Sequence, residues 1–87
     1  MQRVHFIGIG GATMHDLAIA ISKKSNFKVT GSDIEISESS ISRLKEHGLS
    51  PDKMGWFPER IHSNLQAVVF GENTTIDNSE LLRSKEL

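Results

Sequence analysis

Cysteine is absent from this 87-residue chain, so it can form neither a disulfide nor a thiolate metal site. No apolar run approaches the ~20 residues that cross a bilayer, so no membrane partner is expected. Nothing near Met1 resembles a secretory signal, because Arg3 leads straight into a strand pattern that ends in glycines. Charge of one sign is missing too. Ten basic residues face eleven acidic ones, for a net charge of −1. Without a basic block, nucleic-acid binding by phosphate neutralisation is not expected. Aromatic residues are few at 6%, and 37% of the chain is hydrophobic, as in an ordinary globular protein. The expected location is the reducing cytoplasm. The length allows one small domain, near the size at which a single core becomes marginal.

What is present is a glycine turn in a telling place. Val4-His5-Phe6-Ile7-Gly8-Ile9-Gly10-Gly11 reads as a buried strand over 3–9 that breaks into glycines. Its nearly continuous apolar run suits a parallel strand covered on both faces. A helix is predicted over 11–24, with Met14, Leu17, Ala18 and Ile21 as one apolar stripe. Lys23 and Lys24 would sit in its last turn, and Asn26 would cap it. A second strand is predicted over 27–30, ending at Gly31. The serine-rich stretch 37–42 reads as a loop and a helix start, with Gly48 as the stop. Pro51 allows at most a short or edge strand over 49–54. Pro58 opens a short helix through Ile61, and 67–70 is another buried strand. Asp77 and Glu80 stand at capping-box spacing before a last helix. This alternation predicts an α/β, Rossmann-like fold: a parallel sheet of three to four strands, flanked by helices and truncated. Residues 1–87 are expected to form a single domain, a fragment of a longer chain.

A strand, a glycine turn and a helix, in that order, make a pocket for phosphate. The first helical N–H groups have no intrahelical acceptor, and the helix dipole adds positive potential there. The expectation is that free amides around Gly10 and Gly11 converge on an anion. A nicotinamide or adenine dinucleotide is the alternative ligand, and Thr13 counts against it, because a dinucleotide fingerprint wants a third glycine there. Asp33 lies ~20 residues after the turn, the spacing of a ribose-binding acid; it reads equally as a loop Asp that caps the next segment. The loop from Gly71 follows a strand and should lie beside the glycine turn. Trp56 and Phe57 either pack on the short helix at Pro58 or line a cleft. His15 either faces the phosphate pocket or solvent. The four histidines share no metal-ligand spacing, and no nucleophile–base–orienter set is visible, so neither a metal site nor catalytic residues are expected here.

The opening His5-Phe6-Ile7-Gly8-Ile9-Gly10-Gly11-Ala12-x-Met14 resembles that of the Mur ligases, enzymes of peptidoglycan synthesis and recycling. Gly31-Ser32-Asp33 matches the end of that family's second strand. Asp77-Asn78-x-Glu80 is similar to its Asp-Asn-Pro-Glu motif, with Ser79 in place of proline. The resemblance spans essentially the whole chain and implies a cytoplasmic ATP-dependent amide ligase with three domains. The N-terminal domain would bind UDP-N-acetylmuramate or its peptide derivative and hold no cofactor. ATP and Mg would belong to a central domain, whose Gly-Lys-Thr/Ser phosphate loop is not among these residues, and a third domain would help bind the incoming amino acid or peptide. Carried over by position, Gly8, Ile9, Gly10, Gly11 and Ala12 would surround the UDP diphosphate through backbone N–H groups. Asp33 would approach the uridine ribose or base, and Gly71, Asn73 and Thr74 would lie near the nucleotide. Thr13, His15 and Asp16 stand where the family commonly has small residues, Trp56 where histidine is frequent, and Glu72 adds negative charge. These departures suggest a divergent branch nearer the recycling-type peptide ligases.

Overall fold

The computed structural model describes residues 1–87. Three strands, β1 (Gln2–Ile7), β2 (Phe27–Ser32) and β3 (Ala67–Phe70), form one parallel sheet in the order β2-β1-β3. Three helices accompany them: α1 (Ala12–Ser22), α2 (Glu38–Glu46) and α3 (Ser79–Glu86). A 3-10 turn spans Pro58–Arg60. This is the Rossmann-like arrangement expected from the alternation of strand and helix. No helix is long and apolar enough to cross a membrane.

The central position of β1 follows from its sequence. Successive side chains point to opposite faces. Val4 and Phe6 therefore join Val29, Ala18, Ile19, Leu44 and Leu49 in the main core, with Val69 packed against it. On the opposite face lie His5 and Ile7, both buried. His5 is satisfied there by the Thr30 hydroxyl at 2.8 Å and the Glu80 carboxylate at 2.8 Å.

β1 ends at Ile7 rather than Ile9, because Gly8 turns into the left-handed region at φ +83°. Gly11 is extended at φ −61°, ψ 150° and serves as the N-cap of α1, which starts one residue later than expected. α1 also stops earlier, with Lys23 as its C-cap, so Asn26 does not cap it. Its buried face is His15, Ala18 and Ile19; Leu17 is 43% exposed, and the predicted stripe is rotated accordingly. The stop after α2 is as predicted, and the bonds explain it. The Leu49 amide donates to the Leu44 carbonyl and the Gly48 amide to that of Lys45, with Gly48 at φ +70°. That is a Schellman motif, sealed by Leu44 and Leu49 in the core.

No strand forms over 49–54. Pro51 lacks a ladder donor; Leu49 packs into the core, and just beyond the segment Gly55 forms an isolated antiparallel bridge with Asp33. The capping box at Asp77 is corrected too. Asn78 caps α3, its side-chain oxygen accepting from the amides of Glu80 and Leu81.

Candidate functional site

A cleft of about 660 Å³ opens at the carboxyl ends of β1 and β3. Gly8, Gly10, Gly11, Ala12, Thr13 and Met14 form one wall. Gly71, Glu72, Asn73 and Thr74 form the other, and Ile7, Asp33 and Glu35 complete the lining. The sheet order creates this opening, since β1 lies next to β3 and both chains leave the sheet at the same end. Of the residues predicted from sequence, only Ile9 is missing from the lining: its side chain is fully buried in the core.

The amides of the glycine turn correct the expectation of an anion hole at Gly10 and Gly11. Gly8 and Ile9 both donate to the Ser32 carbonyl, at 2.8 and 3.1 Å. Gly10 donates to Asp33 Oδ2 at 2.9 Å, and Gly11 to the Gly8 carbonyl at 3.1 Å. All four are occupied by the protein itself, because the turn must satisfy its own backbone to fold back on β2. The free donors lie one step further on. The amides of Ala12, Thr13 and Met14, in the first turn of α1, donate to no acceptor in the chain, and Gly11 offers no side-chain cap. The positive end of the α1 dipole therefore faces the cleft through these three amides.

Asp33 lines the cleft, yet its carboxylate first serves the fold. Oδ2 holds the Gly10 amide, and Oδ1 accepts from the Ile34 amide at 2.8 Å. Both roles left open by the spacing are compatible with this geometry, since a carboxylate has further lone pairs to offer. Gly10 leaves no room for a side chain: a Cβ there would meet Ile36 Cγ1 at 2.6 Å and Asp33 Oδ2 at 3.0 Å. With Asp33, Glu35 and Glu72, three carboxylates line the cleft, and no Lys or Arg does.

Other candidates lie elsewhere. His15 is buried and faces α2, not the cleft. Its Nδ1 donates to the Gly11 carbonyl at 2.9 Å, leaving Nε2 to accept from Arg43 at 3.0 Å. Arg43 also binds Asp16, and this hydrogen bond holds the exposed Asp16 carboxyl below the usual range. Trp56 and Phe57 do not line the cleft; the Arg60 guanidinium lies over the Phe57 ring, 4.3 Å from its centroid. No group of three or more His, Cys, Asp or Glu is placed to hold a metal ion.

Sequence reasoning missed the use made of Glu80. Its side chain is fully buried, with Oε1 on His5 Nε2 and Oε2 accepting from the Phe57 amide at 2.8 Å. Burial pushes its pKa up, but hydrogen bonds from His5, the Phe57 amide and Ser32 outweigh it and hold the carboxyl below its ordinary range.

Comparison with known proteins agrees with this fold and opening motif. A family profile described as "Mur ligase family, catalytic domain" matches residues 3–51. UDP-N-acetylmuramate–L-alanine ligase from Clostridium kluyveri is 40% identical over 99% of the chain, and the enzyme of that name from Persephonella marina is 37% identical over all of it. The protein of the same name from Desulforamulus reducens is 35% identical over 99% of the chain. In each case the chain spans 18% of the relative's length. On the family match and these identities, the chain belongs to the Mur ligase family.

Proposed function

We propose that residues 1–87 are the substrate-holding N-terminal domain of a cytoplasmic, ATP-dependent ligase that joins L-alanine to UDP-N-acetylmuramate. The names of the relatives favour the L-alanine branch over a recycling-type peptide ligase. The observation that carries the reading is the set of three free amides at Ala12, Thr13 and Met14, opening on a cleft with a second wall at 71–74. A diphosphate is an anion that backbone donors at a helix start can hold without a cation. Gly10 and Gly11 present no side chain to obstruct its approach. Ionised, Asp33, Glu35 and Glu72 can accept but not donate hydrogen bonds, and they suit the hydroxyls of ribose and hexose rather than phosphate. Gly71, Asn73 and Thr74 flank the nucleotide from β3.

The sequence has no Gly-Lys-Thr or Gly-Lys-Ser loop, so this reading assigns ATP, Mg and the phosphoryl chemistry to other domains of the full-length protein. The dinucleotide alternative has Thr13 against it and no support from the relatives. Calorimetric titration separates the two. Saturable binding of UDP-N-acetylmuramate with no heat from NAD is the expected result; saturable NAD binding without the uridine nucleotide would reverse the assignment.

A further inference from the structure

Glu80 is the one fully buried carboxylate of the chain, and the substrate reading gives it no task. Its position links three parts of the molecule. It stands in the first turn of α3, where the segment after β3 ends. Oε1 meets His5 of β1, whose other ring nitrogen meets Thr30 of β2. Oε2 holds the Phe57 amide of the loop 55–57.

That loop leads on to the cleft. The Gly55 amide donates to the Asp33 carbonyl at 2.8 Å, and the Asp33 carboxylate holds the Gly10 amide. A second route runs through Ser32. Its hydroxyl lies 3.4 Å from His5 Nε2 and accepts from Arg60 at 2.8 Å, while its carbonyl receives the Gly8 and Ile9 amides. On the opposite wall, Thr74 donates to Gly71 and Asn78 to Thr75. The wall 71–74 is therefore strung between the end of β3 and the helix turn that Glu80 anchors.

We infer that Glu80 is a positioning residue for the cleft: its carboxylate fixes the glycine turn through Asp33 and Ser32, and fixes the wall 71–74 through α3. Its consequence for affinity rests on the substrate reading above; the coupling between Glu80 and the two walls does not. A role confined to local packing would disturb only the neighbours of Glu80.

Amide spectra of the chain without ligand distinguish these cases. Glu80→Ala should shift the Gly10, Ile34 and Thr74 amides and weaken UDP-N-acetylmuramate binding roughly tenfold, within the range of indirect couplings. Glu80→Gln should restore the amides and most of the affinity, because the carboxamide oxygen still accepts from Phe57 while its NH2 donates to a re-tautomerised His5. A folded Glu80→Ala chain with Gly10 and Thr74 unmoved would overturn the inference, as would a folded Glu80→Gln chain that fails to restore them. Should Glu80→Ala not fold, native-state hydrogen exchange on the unmodified chain decides. Joint opening of the Phe57 and Gly10 amides supports the link, and independent opening refutes it. An unmodified chain that shows the coupling but binds no uridine nucleotide would defeat the substrate reading alone.

Discussion

At the scale of single residues, Gly10 and Gly11 are adjacent but answer to different constraints. A methyl group at Gly10 would run into Ile36 and Asp33, whereas one at Gly11 finds nothing nearer than the Gly8 carbonyl at 3.5 Å. Gly10→Ala should therefore lower stability by about 1–3 kcal/mol through overpacking. Gly11→Ala should change it by less than about 0.5 kcal/mol. Urea unfolding of the two variants measures the contrast. Glu80 sets a pH dependence. Its native pKa lies below the unfolded value, so the folded state favours the ionised form. The stabilisation is complete above the ordinary carboxyl pKa and disappears as the pH falls through the depressed native one. Chemical denaturation across the acid range should show that loss, and Glu80→Gln should flatten it. The sequence could not announce this role. Glu80 and His5 are 75 positions apart, and the local pattern around Glu80 reads as a helix cap.

At the scale of elements, legibility follows locality. The strand, turn and helix over Gln2–Ser22 were readable because each cue lies beside the structure it specifies: an apolar run, then glycines, then a helical pattern. Which amides stay free was not readable. That depends on Ser32 and Asp33, which arrive from the next strand and take the donors of the glycine turn. The buried face of α1 is hidden from the sequence for a similar reason. His15 counts as polar in a periodicity reading, but Arg43 on α2 and the Gly11 carbonyl satisfy its ring nitrogens and permit burial. The end of α2 was legible because Gly48 supplies a left-handed residue that few others adopt. Gly48→Ala should cost about 1–2 kcal/mol. It lies outside the cleft lining and should leave nucleotide affinity unchanged, which denaturation and calorimetry on one sample can establish.

At the scale of the molecule, sheet order and charge distribution jointly define what the cleft accepts. The order β2-β1-β3 sets the glycine turn beside the 71–74 wall, and the start of α1 faces the space between them. Three carboxylates line that space without a cationic side chain, so positive potential comes from the Ala12, Thr13 and Met14 amides. A ligand with a negative centre and several hydroxyls matches this division; a purely anionic one does not. The decisive measurement is a titration of the isotope-labelled chain with UDP-N-acetylmuramate, followed amide by amide. Saturable shifts at Ala12, Thr13 and Met14, accompanied by the amides of 71–74, are the predicted result. Saturable binding that leaves those three amides unmoved would contradict the account.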